Sequence, residues 1–249
     1  MWNINTWIFL SFFLITGINL HAQTDSVKVK KVKGALQLGF NQSKGNVDRL
    51  SSNSSLNVNY KPGKLSLALN VHHQNFYNRG TKLDETIESS LIGIQSFGEH
   101  SRIYAKGSVY RNEFRGFALQ WKEGLGYLYE LEASDILEIN VRLGYQLRQN
   151  EIVNDIVDEF QSGNHHFSQY GARIKVTLMK NVEGSFQIDY EQDFARGKNY
   201  YFDMLGTVSM KVNDVLNVVF KYQYWYAGIP ITSRVPMDQS FVTMLAVNF

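Results

Sequence analysis

The chain has 249 residues, no cysteine and a formal net charge of +2. Without cysteine, disulfide frameworks, zinc-thiolate sites and thiol catalysis are excluded, and a near-neutral balance with no long block of one sign argues against a nucleic-acid partner. Aromatic residues make up 14% of the chain and there are only 3 prolines. The mean hydropathy is slightly negative, which excludes a bundle of membrane-spanning helices.

The one continuous apolar run covers residues 7–20, short for a spanning helix, which needs about 20 apolar residues. Its position fits a secretory signal peptide over 1–22, with cleavage after Ala22 in Leu20-His21-Ala22-Gln23. The segment carries no Lys or Arg, so the usual basic start is missing, and an uncleaved anchor is the alternative. Residues 23–33 read as a short polar periplasmic lead.

From residue 34 to 249 the pattern has period two. Leu36, Leu38 and Phe40 alternate with Gln37, Gly39 and Asn41, and Leu65, Leu67, Leu69 and Val71 alternate with Ser66, Ala68, Asn70 and His72. In the clearest stretch Leu137, Ile139, Val141, Leu143, Tyr145 and Leu147 take one face, and Glu138, Asn140, Arg142, Gly144, Gln146 and Arg148 the other. A helix would mix these sets. About twelve strands follow, over 34–43, 49–60, 64–77, 85–97, 102–112, 118–131, 137–149, 166–178, 183–194, 200–211, 216–226 and 238–249, each near the length that crosses a bilayer when tilted.

The connections alternate as well. Tight turns are expected at 61–63, 98–100, 132–135, 179–182 and 212–215. Longer loops are expected at 78–84, 150–165, 195–199 and 227–237. Short turns on one side and longer loops on the other are what an outer-membrane barrel requires. Tyrosines fall near many strand ends on the apolar face, where membrane-interface girdles place them. Phe241, Thr243, Leu245, Val247 and Phe249 share one face, so the last strand is expected to pair with the first. The predicted fold is all-β: a transmembrane antiparallel up-and-down β-barrel.

Gly39-Phe40-Asn41-Gln42-Ser43-Lys44-Gly45-Asn46, Tyr110-Arg111-Asn112-Glu113-Phe114, Gly124-Leu125-Gly126-Tyr127, Tyr222-Gln223-Tyr224 and the closing Val247-Asn248-Phe249 resemble the YdiY-like family, outer-membrane proteins associated with salt induction and built on a domain of unknown function. The resemblance implies an outer-membrane barrel of a Gram-negative cell and carries no activity. Phe249 also resembles the terminal aromatic that the barrel-assembly machinery reads. Outer-membrane lipids, lipopolysaccharide and that machinery are the expected partners.

Three chemistries compete. Inward alternation would put Lys106, Lys122, Arg142, Arg148, Arg173 and Lys175 on a basic wall facing Asp189, Glu191 and Asp203, a field that could orient ionic solutes in a porin-like passage or pair up and close it. His166 and Ser168 share the outward face, as in outer-membrane phospholipase and lipid A deacylase, which they resemble. His166 would be the base and Ser168 the nucleophile, with Gln192 or Gln149 orienting the His. The loop 150–165, with Asp155, Asp158 and Glu159, could bind at the cell surface or attract a divalent cation. His72-His73 and His165-His166 are adjacent pairs whose members face opposite ways and cannot easily share a metal. No cofactor motif is present. The sequence therefore points to a passive role, in envelope integrity or passage of small solutes. A lipid hydrolase and a surface binder are the alternatives.

Overall fold

A computed structural model describes residues 32–43, 49–78, 81–113, 116–153, 162–229 and 236–249. The elements are β1 (Val32–Ser43), β2 (Arg49–Tyr60), β3 (Leu65–Asn78), β4 (Thr81–Ser96), β5 (Ser101–Asn112), β6 (Phe117–Ser134), β7 (Leu137–Ile152), β8 (Gly163–Met179), β9 (Val182–Asp193), β10 (Tyr200–Lys211), β11 (Leu216–Ala227) and β12 (Met237–Asn248). Each pairs antiparallel with its chain neighbours and β12 returns to β1, so the sheet closes into a twelve-strand barrel. The segment 1–22 and most of the lead 23–33 lie outside the described residues, and β1 opens at Val32, inside the expected lead.

Two expected loops are shorter than the sequence suggested. Strand structure takes over most of 78–84, since β3 runs to Asn78 and β4 starts at Thr81, with a register shift at Phe76/Tyr77. Asn150 to Ile152 extend β7, and Gly163 to His165 open β8. Asp155, Asp158 and Glu159 of that loop lie outside the described residues. Strands β6, β7 and β8 reach 18, 16 and 17 residues, more than the roughly 9–11 that cross a bilayer. They are long enough to reach beyond the apolar layer.

At the opposite end the turns are tight. Gly63 adopts φ +70°, which the β2–β3 turn needs and a side chain disfavours. Asn213 Oδ1 accepts from the Val215 and Leu216 amides at 2.9 and 2.8 Å, fixing the β10–β11 turn.

Alternation sorts the side chains. Phe40 is 74% exposed and Phe241 59%, and Leu38, Leu125, Leu143 and Tyr170 point the same way. Apolar area in water costs roughly 25 cal/mol per Å², so this outer face belongs against lipid. Aromatic rings ring it near both rims. Towards the loop side Tyr170, Tyr190, Tyr200 and Tyr226 follow one another with centroids 6.3, 5.9 and 5.8 Å apart. Phe97 packs on Tyr127 at the turn side, 6.2 Å apart.

The closing seam is short. Ala35 to Gly39 pair with Asn248 to Met244. Below them Gly34 and Phe249 exchange backbone hydrogen bonds, both 3.0 Å. The Phe249 ring covers Gly34, where a β-carbon would stand 2.3 Å from it. Inside the seam Val219, Val242, Met244 and Ala246 form an apolar cluster, so that side of the interior is filled.

Candidate functional site

The inward set of residues builds the site. Register places Arg142, Gln146 and Arg148 from β7, Gln169 from β8, Asp189 and Glu191 from β9, and Asp203 from β10 on the interior. All of these but Gln146 line a chamber of about 300 Å³ together with Glu88, Tyr104, Lys106, Lys122, Lys221 and Trp225.

Its loop-side wall is built around Arg148, the largest fully buried side chain among the described residues. Its guanidinium forms an ion pair with Glu191. The Phe167 and Tyr201 rings hold it from two sides, with centroids 4.2 and 4.4 Å away. A flat, weakly hydrated guanidinium suits such a slot, where cation–π contact contributes up to about 2 kcal/mol once desolvated. Gln169 Nε2 donates to Glu191 Oε1 at 3.0 Å. Above, the buried Asp193 carboxylate accepts from Asn199 Nδ2 at 2.7 Å and the Ala195 amide at 2.8 Å, and pairs with His165 at 3.2 Å.

Towards the turn side a second pair, Arg142–Asp189, crosses from β7 to β9. The Tyr104 ring lies flat on the wall because Gly126 and Gly144 leave room for it. A β-carbon at Gly144 would stand 2.2 Å from the Tyr104 hydroxyl. That hydroxyl donates to Gln169 Oε1 at 3.3 Å.

Several inward polar atoms are buried with no protein partner: Asn53 Nδ2, Ser108 Oγ, His165 Nε2 and Asn217 Oδ1. In a dry core each would cost about 1–3 kcal/mol. They are spread over β2, β5, β8 and β11 and none belongs to the chamber lining; polar atoms so placed suit contact with water inside a barrel better than a dry core.

Of the nine charges predicted inward, Lys106, Lys122, Arg142, Arg148, Asp189, Glu191 and Asp203 line the chamber. Arg173 and Lys175 share the inward register but stand nearer the turn side, Lys175 pairing with Glu183 at 3.1 Å. The picture of a basic wall facing an acidic one needs correction, because Glu88 and Lys221 also enter the chamber. Glu88 lies on the basic side and Lys221 beyond the acidic one. Their inward register on β4 and β11 was the available signal, since Lys221 shares its strand face with Val219, Gln223 and Trp225.

The outward pair is not assembled for nucleophilic chemistry. His166 Nδ1 hydrogen-bonds the Tyr145 hydroxyl, and Ser168 Oγ donates to the Gln192 main-chain carbonyl at 3.4 Å. The Gln192 amide nitrogen is spent on the carbonyls of Asp193, Arg196, Gly197 and Asn199. It orients the β9–β10 connection and not the histidine. His72 faces inward and His73 outward, where it meets Glu85 at 3.1 Å. Asn150 and His165, expected in the surface loop, are buried strand residues.

A closed barrel with an apolar, aromatic-ringed exterior and a charged interior is a membrane-spanning β-barrel. The chain belongs to the family described as "Protein of unknown function, DUF481", whose model matches residues 36–249. Among solved structures it is similar to the NanC porin, with a TM-score of 0.55 at 8% identity over 86% of this chain and 98% of that one. It is also similar to the KdgM porin, with a TM-score of 0.47 at 9% identity over 86% and 98%. A third is the translocator domain of the autotransporter NalP from Neisseria meningitidis, with a TM-score of 0.47 at 12% identity over 98% and 95%. At 8% identity the likeness to the NanC porin is one of fold. No curated protein matches the chain.

Proposed function

We propose that the protein sits in the outer membrane of a Gram-negative cell, after removal of residues 1–22, and gives small polar solutes a narrow passive route through its lumen. The observation that carries this reading is the charge-lined chamber enclosed by the barrel. A protein serving envelope integrity alone could fill its interior with apolar side chains, as happens locally beside the seam. Fixed charges in a low-dielectric tube admit ions at a rate that depends on the charges present. Short turns at the periplasmic side and longer loops outside fit this placement. A link to osmotic conditions follows from the family resemblance and belongs to the same proposal, as do lipopolysaccharide contacts and the reading of Phe249 by the assembly machinery.

The test is reconstitution of refolded protein in a planar bilayer. Discrete conductance steps that scale with salt concentration are expected, and their absence at every salt concentration would sink the reading. A lipid hydrolase using His166 and Ser168 has no base–nucleophile contact to support it. Fatty-acid release that disappears in His166→Ala would nevertheless reinstate it.

A further inference from the structure

We propose that the chamber is a weak binding site for a small solute carrying a carboxylate or phosphate, held by Lys106, Lys122 and Lys221, and that these lysines make the route anion-selective. This rests on the reading of the lumen as a passage.

The inference comes from asking which charges and donors are already engaged. Arg142 and Arg148 are committed to Asp189 and Glu191. The amide of Gln120 donates to Asn150 at 2.8 Å, that of Gln169 to Glu191 at 3.0 Å, and that of Gln223 to Asp203 at 2.9 Å. Among the described residues Lys106, Lys122 and Lys221 reach no carboxylate within ion-pair distance. Lys122 has only the Tyr110 ring, 5.8 Å from its Nζ. Two acids remain to face the three ammonium groups, Glu88 and Asp203, and Asp203 already accepts from Gln223. The strongest unspent donors in the chamber are therefore cationic, with three N–H bonds each.

Their positions suit capture from both sides. In the closed order β5 and β11 stand six places apart in a ring of twelve. Lys106 and Lys221 therefore project from opposite walls, with Lys122 beside Lys106 on β6. Twelve strands about 4.8 Å apart and tilted by about 40° give a barrel roughly 24 Å across between backbones. With side chains reaching inward from every wall, the remaining space fits a compact anion and not a folded polymer. Capture stays weak because Glu88 stands in the same chamber and competes for the ammonium groups. A transit site requires that weakness, since an ion that binds tightly does not leave.

The experiment is single-channel recording in a potassium chloride gradient, with inorganic phosphate or lactate then added to one side. The reversal potential is expected to lie towards the chloride equilibrium, and millimolar phosphate or lactate is expected to reduce the chloride current. Block by phosphate alone assigns the site to phosphates, block by lactate alone to carboxylates, and block by neither overturns the site. The variant K106Q/K122Q/K221Q is expected to lose the anion preference and to weaken block at least tenfold while still conducting. Single variants K106Q and K221Q serve if the triple variant does not fold, each shifting the reversal potential in the same direction. Arg173→Gln, inward but outside the chamber, is expected to leave block unchanged. Conductance that is cation-selective, or block that survives in the lysine variants, overturns the inference and leaves the passage standing. Absence of any conductance overturns the passage itself.

Discussion

Single residues decide how the lumen is held. Arg148 and Glu191 lean on each other inside an aromatic slot, so Arg148→Met is expected to cost about 3–5 kcal/mol by leaving a buried carboxylate alone. R148M/E191Q is expected to cost less, as urea unfolding in lipid vesicles would read. Arg148→Ala is also expected to raise conductance, because it removes the bulk at the loop-side wall. At Gly126 a methyl group would stand 2.3 Å from the Leu143 carbonyl oxygen. That atom belongs to the ladder and cannot swing away, so Gly126→Ala is expected to destabilise by about 1–3 kcal/mol. At Gly144 the nearest atom is the mobile end of Tyr104. Gly144→Ala is expected to cost less stability and to lower conductance as the ring turns inward. The inward set was legible in the sequence, because parity alone assigns a strand residue to a face. Which arginine pairs with which acid was not, since Arg148–Glu191 and Arg142–Asp189 depend on side chains reaching across β8. The burial of Arg148 came from Phe167 and Tyr201, whose role no local pattern announced.

Strands carry the next level of argument. Period-two alternation survived translation into structure nearly everywhere, since a one-residue slip would turn every apolar side chain into the lumen. The misjudged places were strand ends: 78–84 and 150–165 contain polar residues that read as loop, yet residues 78, 81–84, 150–152 and 163–165 continue the ladders of β3, β4, β7 and β8. Polar outward residues are tolerated wherever a strand end stands above the apolar layer, and sequence alone gives no height. Alternation has a direct optical test. Trp121 is 46% exposed on the outer face, whereas Trp225 lines the chamber. With Trp2 and Trp7 replaced by Phe, brominated lipid is expected to quench the fluorescence of the Trp225→Phe variant strongly. It is expected to leave that of Trp121→Phe nearly unchanged. Equal quenching in both would mean that one of the two strands is registered the other way.

At the scale of the molecule, closure is the claim that everything else depends on. Leu38 and Leu245 face each other across the seam, and the chain has no cysteine of its own. A Leu38→Cys/Leu245→Cys double variant is therefore expected to form an intramolecular disulfide on oxidation, seen as an altered migration in gels that reverts with reductant. A barrel of eleven or thirteen strands would not bring those positions together.

The same seam has a mechanical meaning. Among the described residues every other junction in the ring is laced along most of its length, whereas β1 and β12 are laced only from Gly34 to Gly39, on the turn side. The barrel thus resembles a collar fastened at the bottom and unfastened at the top. Such a collar can widen or tighten its loop-side mouth by spreading at one line, without undoing any of the other ladders.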